Sequence, residues 1–157
     1  MKVFIGNYQD DNSPRQEDVF IDEWDSWNAD HTIALIAAPL LQQLKLTKHG
    51  SGRVDDEDVP EELRSTSAPP KENEWDIDDN WHKRWDWVLD EMIWALTEHA
   101  SGTGDDKFFD HSECDDEADI MEQVAQIKCD HEGLDAYNAR KQRGFVLFGK
   151  YFQNLWD

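Results

Sequence analysis

The sequence predicts a mainly α, α+β fold of one domain over residues 1–157. In it, three main helices pack with a short N-terminal two-stranded β-element and a long acidic loop. Three observations predict it. The stretch 79–100, DNWHKRWDWVLDEMIWALTEHA, repeats apolar residues at intervals of three and four. The chain opens on two short β-branched and aromatic runs, KVFI and VFID. Between the first two helical patterns, residues 50–79 lose periodicity and become acidic.

The strongest element is the Trp-rich helix, expected over residues 80–100. Trp81, Trp85, Val88, Met92 and Leu96 form its stripe, and Leu89 and Ile93 widen it. Asp78 or Asp79 caps its first turn in this reading, and Gly102 and Gly104 end it. Four Trp within fourteen residues cannot share one face, so at least one of Trp81, Trp85, Trp87 and Trp94 points away from the core.

In chain order, the β-element occupies residues 1–23, with strands at Lys2–Ile5 and Val19–Asp22, a turn at Gly6-Asn7 and a loop around Pro14. Two strands so short need a partner surface. A helix follows within residues 28–49, capped by Ser26 or Asn28, with Ile33, Ile36, Leu40, Leu41 and Leu44 as its apolar face. Pro39, mid-run, is expected to kink it and to free a carbonyl near Leu35. In the acidic loop, Pro60 starts a short turn, Pro69-Pro70 holds an extended run, and Val54, Val59, Leu63, Trp75 and Ile77 are spaced as anchors. The better expectation is an ordered loop lying over the helices. Residues 101–119 are rich in Gly and Asp and read as a mobile loop.

The C-terminal helices, 120–157, are expected as a short one over Ile120–Cys129 and a long one over His131–Trp156, separated by Gly133. Leu134, Tyr137, Phe145, Phe148, Phe152 and Leu155 share a broad face of the long one. Gly144 and Gly149 weaken a helix and suggest close approach of another backbone or a ligand. This helix is the expected contact of a homo-oligomer.

The formal charge of −21 and a pI near 4.4 argue against direct nucleic-acid binding or an anionic membrane surface through a diffuse basic face. Eight Trp need a packed home or a binding surface. Two Cys, with no signal-peptide pattern and no apolar run of spanning length, point to a reducing, soluble compartment.

His111, Cys114, Cys129 and His131 offer four zinc-ligand side chains, but their spacing departs from finger patterns, and they read more readily as two buried or free thiols and two surface histidines. Asp55, Asp56, Glu57 and Asp58 can meet a hard cation or simply be a solvated face. No cofactor is expected. The chain carries no P-loop, GxGxxG, HExxH or GxSxG, and no catalytic residue is assigned.

Cations are scarce, and several stand beside Trp or at a helix end. Trp24, Trp27, His31, Lys48, His49, Arg64, His82, Arg84 and Trp85 are therefore the candidate ligand-binding residues. Flat rings suit a base and cationic donors suit phosphates. The same residues also read as core tryptophans with cations at their rim.

The segments DHTIALIAAPLLQQLKLTKHG, VDDEDVPEELRSTSAPPKENEWDIDDN, RWDWVLDEMIWAL and GFVLFGKYFQNLWD resemble a family of small, uncharacterised tailed-bacteriophage proteins. The resemblance covers about residues 24–100 and the last twenty or so. It implies a phage origin and a host bacterial cytoplasm, and it supplies no activity. The segment between the two N-terminal strands is short here compared with many members. The resulting expectation is an anti-defence protein that sequesters a nucleotide-derived signalling molecule, of cyclic-nucleotide or ADP-ribose type, without catalysis. An acidic DNA mimic that inhibits a host DNA-binding protein and a small assembly factor are the alternatives.

Overall fold

The structure is a computed structural model that describes residues 2–6, 16–114 and 119–156. The chain falls into two compact units, residues 1–33 and 34–157.

In the first unit, β1 (Lys2–Ile5) pairs antiparallel with β2 (Glu17–Phe20). The second strand lies two residues earlier than Val19–Asp22, because Lys2 pairs with Phe20 and Val3 with Val19. The loop around Pro14 lies outside the described residues. A 3-10 turn at Glu23–Ser26 follows, held by a capping box in which Asp22 accepts from Trp24 N–H and Asp25 accepts from Asp22 N–H. Helix α1 (Ala29–Thr47) begins here and runs unbroken through Pro39 into the second unit.

The second unit is built on α2 (Trp81–Ser101) and α4 (His131–Lys150), with the short α3 (Ile120–Gln126) between them in sequence. Among the described residues the fold is thus mainly α with two small two-stranded sheets, as expected of the α+β class. Gly102, at φ 67°, ends α2 in the left-handed conformation that its sequence position requires. The expected N-cap is corrected: Asn80 holds that position without a side-chain capping bond, and the Asp78 carboxylate is committed to Asn80 N–H and Arg84.

The α2 stripe is the core. Trp85, Val88, Leu89, Met92 and Leu96 are buried with Val54, Val59, Leu147 and Tyr151. Trp87 and Trp94 lie off this stripe, beneath the guanidinium groups of Arg143 and Arg140 at 5.6 and 4.0 Å.

Further expectations need correction. From α1 it is Ala34, Ala38 and Leu41 that are buried, while Ile33, Ile36 and Leu40 remain exposed. The small residues allow close packing in the core, leaving a bulky apolar stripe without a partner among the described residues. The short C-terminal helix stops at Gln126, and a strand at Lys128–Cys129 pairs with Phe109–Asp110. Gly133 lies inside the first turn of α4, where Asp130 caps its N–H, so that strand and not the glycine separates α3 from α4. Helix α4 itself ends at Lys150, followed by a 3-10 turn at Phe152–Asn154.

Residues 115–118, within the segment expected to be mobile, lie outside the described residues. No helix among the described residues is long and apolar enough to cross a membrane.

Candidate functional site

The acidic segment 51–80 forms an ordered strap over the N-terminal end of α2 and the C-terminal end of α4. Its short 3-10 turns at Asp56–Asp58, Glu61–Leu63 and Ser65–Ser67 are tied together by Ser65, which donates to Asp56, and Ser67, which donates to the Glu61 carbonyl, and side chains from the helices anchor them. Val54 and Val59 are the apolar anchors, at 6 % and 4 % exposure, and Leu63 packs beside them. Trp75 and Ile77 do not anchor: Trp75 is 83 % exposed.

Polar anchors do the rest. Asn80 donates to the carbonyls of Glu62 and Arg64 at 3.1 and 3.3 Å. Tyr151 donates to Asp58 and accepts from Asp55 N–H at 2.9 Å. Lys150 reaches Asp58 at 2.6 Å and Asp55 at 3.0 Å. The chain's own Lys150 ammonium group therefore sits among the carboxylates of the acidic run read as a possible cation site.

Arg84 is the centre of the site. One turn into α2, it turns back under the strap, only 3 % exposed. Its two terminal nitrogens donate to the two carboxylate oxygens of Asp78 at 2.8 and 2.7 Å, and one also donates to Leu63 C=O at 3.2 Å. This planar, bidentate pairing suits a guanidinium and not an ammonium. Its Nε is buried with no acceptor, 3.8 Å from Asp56. The Nε of Arg64 is buried and lacks an acceptor as well. Trp81 lies beside the Arg84 guanidinium, 5.8 Å from ring centre to Cζ.

Around these groups is a cleft of about 420 Å³, lined by Arg53, Val54, Asp55, Asp56, Ser65, Asp78, Trp81 and Arg84. A neighbouring hollow of about 480 Å³ is lined by Asp55, Asp56, Glu57 and Arg64.

Asp78 and Asp56 in this cleft are held ionised. Hydrogen bonds from Arg84 lower the Asp78 pKa, against the opposing effect of burial. The Ser65 hydroxyl and backbone N–H lower that of Asp56. The cleft therefore brings fixed acceptors and an aromatic plane together with Arg84, whose Nε–H is orphaned, and Arg64, whose Nε–H is orphaned too, lines the neighbouring hollow. That set matches the edge of a heterocyclic base, which carries both donors and acceptors and has a flat face.

The expected ligand residues are scattered over different roles. Trp24 and Trp27 belong to the first unit, 70 % and 79 % exposed, with ring centres 6.3 Å apart, and His31 is half-buried in the same unit. In the second unit Lys48 pairs with Asp86 at 2.9 Å, and His82 Nδ1 is 2.9 Å from Ser51 Oγ. His49 is exposed and Arg64 half-buried. Trp85, at 1 % exposure, meets Tyr151 edge-on in the core, so its faces are taken. Of the nine, Arg64 and Arg84 come to the hollows beneath the strap. Asp56, Ser65, Asp78 and Trp81 complete the site without having been singled out as ligand residues. The only sequence signal for the pairing was Asp78 six positions before Arg84, across a helix start.

The zinc-ligand candidates do not assemble: among the described residues no group of three or more His, Cys, Asp or Glu is placed to hold a metal ion. Cys114 and Cys129 are free thiols. Compared with protein-family models, curated proteins and solved structures, the chain matches none.

Proposed function

We propose that this protein binds the base end of a nucleotide-derived small molecule in the cleft beneath the strap, and holds the molecule without turning it over. The observation that carries the reading is the pair of buried guanidinium Nε–H groups, of Arg64 and Arg84, that lack acceptors. A buried donor without a partner costs about 1–3 kcal/mol, and a ligand acceptor recovers it. Trp81 supplies the stacking plane, and Asp55 and Asp56 accept from amino or imino groups of the base. In the bacteriophage setting that the resemblance implies, such a protein sequesters a signalling nucleotide of a host defence system, in the host cytoplasm.

The test is a thermal-shift screen of the purified protein against cyclic dinucleotides, cyclic mononucleotides and ADP-ribose derivatives. Ligand at a hundred times its dissociation constant stabilises the fold by about 2.7 kcal/mol. The expected result is a selective shift by one nucleotide class, with the ligand recovered chemically intact after denaturation. Arg64→Lys keeps the charge, removes the Nε–H and should weaken that binding about tenfold, the loss of one hydrogen bond. The absence of a shift with every nucleotide overturns the reading. Salt-sensitive binding to a basic DNA-binding protein would then favour an acidic mimic, which the charge of −21 suits.

A further inference from the structure

The β1–β2 hairpin has an unusual surface for an isolated two-stranded ribbon. The register Lys2 to Phe20 and Phe4 to Asp18 puts these four side chains on one face, since paired residues share a face and alternate residues along a strand return to it. All four are exposed, Phe4 at 56 % and Phe20 at 61 %. A ribbon of two four-residue strands is marginal by itself, and aromatic side chains in water do not help it.

The arrangement on that face is self-complementary. The two Phe occupy one diagonal of the four-residue rectangle. The other diagonal joins a cation, Lys2, and an anion, Asp18, which also accepts from Gln16 Nε2 at 2.6 Å. Turn a second copy over about a two-fold axis lying along the Phe4–Phe20 diagonal. Each Phe then lands on its own counterpart, Lys2 comes over the partner's Asp18, and Asp18 over the partner's Lys2. Because a rectangle is not a square, the charged corners miss by about 2–3 Å at ordinary strand spacings, which a lysine side chain spans. The strands of the two ribbons cross steeply, in the manner of orthogonal sheet packing. Two-fold axes along or across the strands place Lys2 over an aromatic ring and leave Asp18 over one as well, which wastes the anion, and the axis along the Lys2–Asp18 diagonal sets like charges on one another.

We infer that a second copy of this chain docks on the Lys2, Phe4, Asp18, Phe20 face of the hairpin, forming a two-fold dimer with paired Phe rings and two reciprocal Lys2–Asp18 contacts. This is independent of the ligand cleft. Charge favours this occupant: a chain of −21 repels its own copy elsewhere, whereas this face is neutral and alternates in sign. Exposed Ile21 and Trp24, next along the same unit, enlarge the apolar surface available. A face this small gives a weak dimer, with a dissociation constant on the order of micromolar.

The test uses the full chain and sedimentation equilibrium over about 1–200 μM, a range that brackets such an affinity. Wild type is expected to associate to dimer. Asp18→Lys and Lys2→Asp each put like charges opposite one another, and each should weaken the dimer at least about tenfold. Mixed in equal amounts, the two variants present a doubly basic face to a doubly acidic one, and dimer should return. A misfolded variant cannot give that rescue, so a folding defect and a lost interface are distinguishable. A monomeric wild type throughout the range overturns the inference. So do single variants that still dimerise like wild type, or a mixture that stays monomeric while both variants keep wild-type circular dichroism.

Discussion

Gly144 of α4 lies directly against Ala95 of α2: a Cβ added to Gly144 would stand 2.3 Å from the Cβ of Ala95 and 2.6 Å from the carbonyl oxygen of Glu91. The backbone that approaches this glycine is thus the chain's own. Gly149, one and a half turns later, has nothing within 4 Å of such a Cβ. The two glycines should respond oppositely to the same change. Gly144→Ala is expected to destabilise by about 1–3 kcal/mol through overpacking, even after its gain in helix propensity. Gly149→Ala should stabilise by up to about 1 kcal/mol. Urea unfolding of both variants measures the contrast, and a Gly144→Ala protein as stable as wild type would show that the helices can separate freely.

Next to that contact, Glu91 is buried and accepts from Arg140 at 2.7 Å and Arg143 at 2.8 Å, both about half exposed. Burial raises its pKa, and the two arginines outweigh that and bring it below its ordinary value. Removing the two partners should therefore cost more than removing the centre. Arg140→Ala with Arg143→Ala strands a buried carboxylate and is expected to cost about 3–5 kcal/mol. Glu91→Gln frees two guanidinium groups that water can reach, and should cost only about 1–2 kcal/mol. Denaturant midpoints in the reverse order would contradict this account of the α2–α4 seam.

The strap should detach from α2 when Asp78 is neutralised. Asp78→Asn leaves Arg84, only 3 % exposed, without its bidentate counter-charge and with Asp56 3.8 Å away as the remaining one, at a cost of about 3–5 kcal/mol. An apolar pair at both positions should cost less than that single change. Limited proteolysis between residues 64 and 80 reads the detachment directly, with cleavage in Asp78→Asn at protease levels that leave wild type whole.

Acid and alkali should each remove a separate set of contacts. Asp56, Asp78 and Glu91 titrate below the ordinary values of 3.8 for Asp and 4.5 for Glu. The stability they add is complete above those values and is lost as pH falls through the lower folded ones. Stability should therefore drop steeply below about pH 4, and Asp78→Asn should flatten part of that limb. Tyr137 and Tyr151 are pushed up from 10.0 to about 12, first by burial and then by their bonds to Glu98 and Asp58. Their contribution is whole below pH 10 and lost as pH rises through about 12. Phenolate absorbance should show two tyrosines ionising late, and Tyr137→Phe and Tyr151→Phe should each remove one of them.

Much of the fold was legible because it is local. The spacing of Trp85, Val88, Met92 and Leu96 sets a helical period, and a left-handed Gly102 ends it. Val54 and Val59 could be read as anchors because they are lone apolar residues in an acidic run. The site was legible only in part. Arg84 was visible as a rare cation beside Trp85 and Arg64 as a rare cation in the acidic run, but their acceptors were not. Any of 36 Asp and Glu residues was an equal candidate on composition.

What the sequence by itself determined, then, is where α1 and α2 lie, and the class of fold, since backbone propensity and periodicity act over a few residues. Only the tertiary structure decided which charges meet. Arg140 finds Glu91 49 positions away, and Tyr151 finds Asp58 93 positions away. It also decided that α1 buries Ala34 and Ala38 and leaves Ile36 and Leu40 in the open. The physical reason is common to both: an amphipathic helix specifies that a face is buried, but the neighbour that covers it selects which residues and which ion pairs lie there.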